Sequence, residues 1–176
     1  MAVLLNPLLL SIVALFSFGS MSAFARTDAV PFVYEKSMLL PSGKNVKITF
    51  RERRCHSDEC QAVDASMWGV DGGIPRFITK IFLVFIEGQA FIIPKKFYTD
   101  LTNIYQLSVF EQDARVVIEL KGGDAAGAYT ARFMLGGMCG FERIVCGEMC
   151  QEIWEKSTWY NSFTYWSDAQ CKSGIQ

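Results

Sequence analysis

The sequence has very few of the side chains that nucleophilic catalysis and metal binding require. His56 is its single histidine, and no two of its cysteines are spaced as C-x-x-C. A Ser-His-Asp or Cys-His site needs an oriented imidazole, a zinc site needs paired Cys and His knuckles, and redox catalysis needs an activated C-x-x-C pair. We therefore interpret His56 as a solvated loop residue. We assign no catalytic residue, and we expect neither a cofactor nor a metal.

The sequence also lacks a tract of basic residues and a phosphate-binding loop. Lys and Arg number 17 against 18 Asp and Glu, for a net charge of -1. This balance gives no electrostatic footprint for nucleic acid or for an anionic membrane. The glycine-containing segment 120–129 has neither the GxGxxG nor the Walker pattern, and is more typical of a turn between strands.

Charged residues are absent from the first 25 positions, which are strongly apolar and end in Ala23-Phe24-Ala25. A small-x-small ending of this kind is typical of a signal peptide cleaved after its last residue. A second apolar stretch, 77–94, contains Lys80 and Glu87, whose burial in a bilayer would be costly. We therefore predict a signal peptide over residues 1–25 and a single secreted or periplasmic domain over 26–176, without a membrane segment.

The expected mature chain is rich in the alternating and β-branched patterns of strands. Strands are predicted over 45–53, 79–87, 90–94, 105–110, 115–120, 128–135 and 139–146. Short connections between them favour antiparallel neighbours. Phe97, Leu101 and Ile104 have helical spacing and predict a short amphipathic helix. The sequence thus predicts a mostly β fold with one or two short helices, either a single antiparallel sheet or a β-sandwich or barrel-like domain.

The C-terminal part leaves two interpretations open. Met149 and Ile153 have helical spacing, as do Cys150 and Trp154, whereas the aromatic segment 158–166 is strand-like.

Six cysteines follow the predicted cleavage site, and an even set in an exported chain favours disulfides. They are Cys55, Cys60, Cys139, Cys146, Cys150 and Cys171. Cys55 and Cys60 bracket a short polar loop, so we predict a bridge between them. If 139–146 is one strand, Cys139 and Cys146 lie roughly 23 Å apart and cannot pair. The other four then form either Cys139–Cys150 with Cys146–Cys171, or Cys139–Cys171 with Cys146–Cys150.

Aromatic residues are unusually dense near the C-terminus. Trp154, Trp159, Tyr160 and Trp166 are the candidate binding residues, because Trp and Tyr anchor protein interfaces and stack on sugar rings. Packing into the core is the competing interpretation for the same side chains.

Three hypotheses of function follow. The first is an exported, disulfide-stapled binding protein that contacts a protein or glycan, as an inhibitor or protective partner in the cell envelope. The second is an envelope hydrolase with paired carboxylates, which need only face one cleft. Its candidates are Glu142, Glu148, Glu152 and Glu155. The third is a carbohydrate-binding module that uses the C-terminal aromatic residues.

Overall fold

Nine strands in the described part of the chain form two antiparallel sheets. The computed structural model describes residues 30–56, 60, 67–71, 73–123, 125–136 and 139–161. The first sheet has the order β1-β2-β3-β4 and the second β5-β6-β7-β8-β9, so consecutive strands are neighbours within each sheet. The strands are β1 Val33–Leu39, β2 Asn45–Arg54, β3 Phe77–Ile86, β4 Gln89–Phe91, β5 Ile104–Gln112, β6 Arg115–Gly122, β7 Tyr129–Leu135, β8 Gly140–Gly147 and β9 Ile153–Tyr160.

Alternation of apolar and polar residues explains how the strands bury one face. Val46, Ile48 and Phe50 on β2 have no exposed surface, whereas Lys47 and Arg51, at alternate positions, are exposed. Side chains on a strand point to opposite faces in turn, so each alternate residue reaches the core. The antiparallel strands predicted from this pattern are confirmed.

The core lies between the two sheets and is strongly aromatic. Phe82 of β3 meets Phe133 of β7 edge to face, with ring centroids 5.2 Å apart. Phe91 of β4 contacts Phe141 of β8 in a similar way at 6.3 Å. Edge-to-face contacts at these distances add to the stabilisation from buried area. The predicted fold class is confirmed, in the form of a β-sandwich-like arrangement.

The predicted helix after Pro94 is wrong. Only a short 3-10 turn forms, at Lys95–Phe97, and the chain then crosses between the sheets over residues 98–104, which we call the crossing segment. Leu101 and Ile104 are buried as predicted, but Leu101 lies in an isolated β-bridge and Ile104 at the start of β5, and neither is in a helix. The backbone there is held by tertiary hydrogen bonds, such as the one from the Thr79 hydroxyl to the Leu101 carbonyl.

Two other segments differ from the sequence-based expectation. Strand β1 was not predicted, because it lies at a sheet edge and most of its residues are exposed on either face. Strand β4 is shorter than the predicted 90–94.

The ambiguous C-terminal part forms a strand as far as residue 160. The helical alternative is wrong for 149–154, which contain a turn and the start of β9. The rest of the predicted aromatic strand, and the predicted signal peptide, lie outside the described residues. No helix within those residues is long and apolar enough to span a membrane.

Two disulfides are defined in the described part of the chain. The predicted Cys55–Cys60 bridge is confirmed, with the Cα atoms 6.2 Å apart. Cys146 bonds to Cys150, with a Cα separation of 4.9 Å. This pairing belongs to the second predicted arrangement, whose other bridge includes Cys171, a residue outside the described ranges. Cys139 is also disulfide-bonded.

Candidate binding surface at the β8–β9 hairpin

The turn between β8 and β9, residues 148–152, is held at several points. The Cys146–Cys150 disulfide closes it, and the Cys150 amide donates to the Gly147 carbonyl at 2.8 Å. The Thr130 hydroxyl on β7 donates to the Glu148 carbonyl at 3.1 Å. A covalent bridge and hydrogen bonds from a neighbouring strand leave the turn few alternative conformations.

This rigid turn presents apolar side chains to solvent. Met149 is 78% exposed, Ile153 55% and Trp154 44%. We call these three residues the hairpin patch. Glu148 and Glu152, both exposed, give it an acidic border. Exposed apolar side chains bordered by charged residues are a common feature of protein interaction sites.

Trp154 owes its position to an irregularity in the strand pairing. Val145 pairs with Glu155 and Cys146 pairs with Ile153, so Trp154 is the extra residue of a β-bulge. A bulge changes the direction of the side chain that it carries. Here the indole packs against Gly147, where an added Cβ would lie 3.1 Å from the ring.

Trp68 supports Trp154 from the other side. The two rings are nearly parallel, inclined by 18°, with centroids 5.7 Å apart. The Trp68 backbone is itself fixed, since its amide donates to the Asp100 carbonyl at 2.9 Å and its carbonyl accepts from the Thr102 hydroxyl at 2.6 Å. The crossing segment therefore positions one face of the Trp154 ring. Trp68 was not among the predicted binding residues.

A buried ion cluster lies behind the start of β9. Arg143 is only 2% exposed, and its guanidinium contacts Asp100 at 2.5 Å and Glu155 at 3.6 Å. Burial raises the pKa of the Asp100 carboxyl, although the neighbouring Arg143 charge opposes this effect. The cluster joins β8, β9 and the crossing segment, and therefore fixes the base of the hairpin.

A second buried acid holds the crossing segment from the first sheet. Glu52 is 6% exposed and accepts hydrogen bonds from the Ile104 amide at 2.8 Å and the Phe32 amide at 3.2 Å. Burial raises its pKa to about 7, against the opposing effect of these two bonds. Glu52 continues the alternation of Val46, Ile48 and Phe50, so the sequence pattern contained a signal for its burial.

Tyr129 lies close to both ionic groups. Its hydroxyl donates to the Thr102 carbonyl at 3.0 Å, and its side chain is fully buried. Burial, followed by the nearby Glu52 charge, raises its pKa well above the ordinary value. Tyr129 therefore holds the crossing segment at Thr102, between the Glu52 and Arg143 contacts.

The predicted aromatic binding residues do not form one row. Trp154 lies in the hairpin patch, whereas Trp159 packs into the core with its ring centroid 5.6 Å from that of Phe141. Tyr160 is 40% exposed and lies two strand positions from Thr158, on the face opposite Trp159. Trp166 lies outside the described residues. The strand thus divides its aromatic side chains between core and surface.

The four candidate carboxylates are also separated. Glu142 pairs with Lys156 at 2.8 Å on the outer face of the sheet, while Glu155 points to Arg143 on the core face. Glu148 and Glu152 are exposed in the turn. Glu142 and Glu155 therefore do not face one cleft.

The other residues considered for chemistry have ordinary surroundings. His56 is exposed, and its carbonyl accepts a hydrogen bond from the Cys60 amide at 3.2 Å. Within the described ranges, no group of three or more His, Cys, Asp or Glu side chains could hold a metal ion.

Comparison with protein families, with curated proteins and with solved structures found no match to this chain.

Proposed function

We propose that this chain is an exported binding protein that recognises another protein through the hairpin patch, as an inhibitor or protective partner in the cell envelope. The observation that carries the proposal is a rigid turn with Met149 exposed at its tip. A loop held in its bound conformation before contact loses less conformational entropy on binding. Export is supported by the two disulfides, since such bonds persist in oxidising compartments.

The composition of the patch supports a protein partner. Trp and Met are enriched in the cores of protein interfaces, and Trp is among the residues with the largest effects on affinity. Trp154 is prepositioned by Trp68 and Gly147. A partner with an apolar pocket bordered by basic groups would match the patch and its acidic rim.

Site-specific photo-crosslinking in the producing cell tests this proposal. A photoreactive residue is placed at Met149 and, as a matched control, at Ile92, which is 68% exposed beyond the end of β4 in the first sheet. We expect one envelope protein to crosslink at Met149 and not at Ile92. Met149→Glu and Trp154→Ala should each weaken binding of that purified protein at least tenfold, because both remove contact area at the centre of the patch.

A matched pair of variants tests the role of the staple. Cys146→Ser/Cys150→Ser should bind the same partner more weakly than the native chain, whereas Cys55→Ser/Cys60→Ser should bind it with unchanged affinity. Equal crosslinking at Met149 and Ile92, or a partner whose affinity is insensitive to Met149→Glu, would rule out the hairpin patch as the interface.

Intact mass spectrometry tests export separately. The protein recovered from outside the cytoplasm should lack residues 1–25 and react with a thiol reagent only after reduction. A full-length mass, or thiols that react without reduction, would contradict the proposed export and stapling.

A further inference from the structure

The outer face of the second sheet contains a cleft of about 680 Å³, and none of its lining residues belongs to the hairpin patch. It lies at the end of the sheet opposite the hairpin patch. Its lining includes charged residues of both signs, the aromatic residue Tyr160, and two glycines, Gly136 and Gly140. Its volume is in the range of small-molecule sites.

Two glycines that lie side by side create the cleft. The Gly136 amide donates to the Gly140 carbonyl at 2.9 Å, and Gly140 pairs with Tyr160 on β9. On β6, Val116 pairs with Leu135 of the antiparallel neighbour β7. Arg115, the residue before Val116, therefore lies opposite Gly136. A row of the sheet therefore runs from Arg115 across two residues without side chains to Tyr160. The missing side chains leave a trough between the Arg115 and Tyr160 walls.

The two glycines have different constraints. A Cβ at Gly140 would lie 2.2 Å from the Trp159 carbonyl oxygen, so close strand packing requires glycine there. At Gly136 the nearest atom to an added Cβ would be the Gly140 carbonyl oxygen at 3.6 Å, which is ordinary contact. Packing does not require glycine at 136, and a side chain added there would project into the trough.

The charges around the trough are balanced and suit a neutral, polar ligand. Asp113 and Arg115 lie on one side, and the Glu142–Lys156 ion pair lies on the other, with N–O separation of 2.8 Å. Two acids and two bases leave no net charge to attract a phosphate or a free cation. They instead supply hydrogen-bond donors and acceptors on both sides of the trough, which a ligand with many hydroxyl groups can use.

The exposed aromatic ring completes the set of groups. Tyr160 is 40% exposed and contributes an aromatic ring and a hydroxyl group to the cleft lining. The C–H face of a pyranose packs on such a surface, while its hydroxyls reach the charged groups beside it. We propose that this cleft binds a neutral oligosaccharide, with Tyr160 as the stacking platform and the Glu142–Lys156 pair and Arg115 as hydroxyl partners. This inference does not depend on the role of the hairpin patch.

NMR titration of the mature, oxidised protein tests the proposal. The probes are cellotetraose, maltotetraose, mannotetraose and chitotetraose, each to about 10 mM, a range that detects millimolar dissociation constants. We expect at least one of them to shift the amide signals of Gly136, Gly140 and Tyr160, with the signals of the 148–152 turn unchanged. Inorganic phosphate serves as the anion probe and should leave the cleft signals in place.

Two variants and a control make the test specific. Gly136→Leu fills the trough and should abolish the shifts, and Tyr160→Ala should raise the dissociation constant at least tenfold. Tyr105→Ala, which removes a tyrosine of similar exposure outside the cleft, should bind the sugar as the native chain does. The amide spectrum of each variant verifies its fold.

The proposal is overturned if none of the four sugars shifts the cleft signals, if phosphate shifts them instead, or if Gly136→Leu binds as well as the native chain. None of these results bears on the crosslinking at Met149, so failure of the sugar site and failure of the hairpin interface are separate outcomes.

Discussion

Glu52 of the first sheet and Arg143 of the second are the two buried acidic or basic side chains in the described part of the chain, and they have different kinds of partner. Glu52 accepts hydrogen bonds from two backbone amides, whereas Arg143 contacts two carboxylates. A carboxyl group can become neutral by taking up a proton, but a guanidinium stays charged. The first arrangement can therefore respond to pH, and the second requires counter-charges.

The two groups act on the same part of the chain from opposite sides. Glu52 holds the Ile104 end of the crossing segment, and Arg143 holds Asp100. The crossing segment forms hydrogen bonds with the Trp68 backbone, and the Trp68 ring stacks on Trp154. The stability of the β8–β9 hairpin is thus linked to buried polar groups in both sheets.

Removing the Arg143 side chain should have the largest effect. Arg143→Ala leaves Asp100 partly buried without its cation, and breaking a buried pair in this way typically costs about 3–5 kcal/mol. We expect a fall of that size in the free energy of unfolding, measured by urea denaturation at pH 7.

The paired variant Arg143→Met/Asp100→Asn separates charge from volume. It removes both charges of the closer ion pair while keeping side chains of similar size, and Glu155, whose side chain is 32% exposed, can still be solvated, so most of the lost stability should return. If Arg143→Ala costs less than about 1 kcal/mol, or if the double variant is as unstable as the single one, the ion pair is not what distinguishes the second sheet.

The pH dependence of Glu52 should have the next largest effect. Its pKa rises from 4.5 to about 7 on folding, so between these values the folded state binds more protons than the unfolded state. Stability from this group is complete below about pH 4.5 and is lost as the pH rises through 7, by about 3–4 kcal/mol in all at 1.36 kcal/mol per unit.

Urea denaturation at several pH values measures this loss. Glu52→Gln keeps an acceptor oxygen and does not titrate, so its stability should change much less across the same range. The raised pKa of Asp100 acts in the same direction and should remain as a residual slope in that variant. A native protein that gains stability between pH 4.5 and 7, or a variant with an undiminished slope, would contradict this account of Glu52.

The strand pattern of this fold could be predicted from sequence because it depends on local periodicity. Alternating residues such as Val46, Ile48 and Phe50 identify a buried face without reference to other segments. The Cys55–Cys60 bridge is similarly local. The crossing segment could not be predicted in this way, because its backbone is held by partners distant in sequence, such as Thr79 and Trp68.

The candidate sites were only partly predictable for the same reason. Trp154 and Tyr160 were recognised as binding candidates by residue type, but alternation alone did not show which aromatic side chains of the strand face the core. The Trp154 orientation depends on a bulge and on Trp68. The trough depends on Gly136 and Gly140 being adjacent across two strands. Neither strand register nor bulges can be read from one sequence.

The smallest effect on the free energy of unfolding is expected for the Glu142–Lys156 ion pair, on the outer face of β8 and β9. Glu142 and Arg143 are adjacent on β8 and point to opposite faces, and Glu142 pairs with Lys156, whose side chain is 57% exposed. Water screens an exposed pair and solvates each partner when it is broken, so Lys156→Ala should change the free energy of unfolding by no more than about 0.5 kcal/mol. The change should decrease further in 1 M salt, where charges are screened within about 3 Å. A loss comparable with that of Arg143→Ala would contradict the view that the desolvation of charge makes the two faces differ.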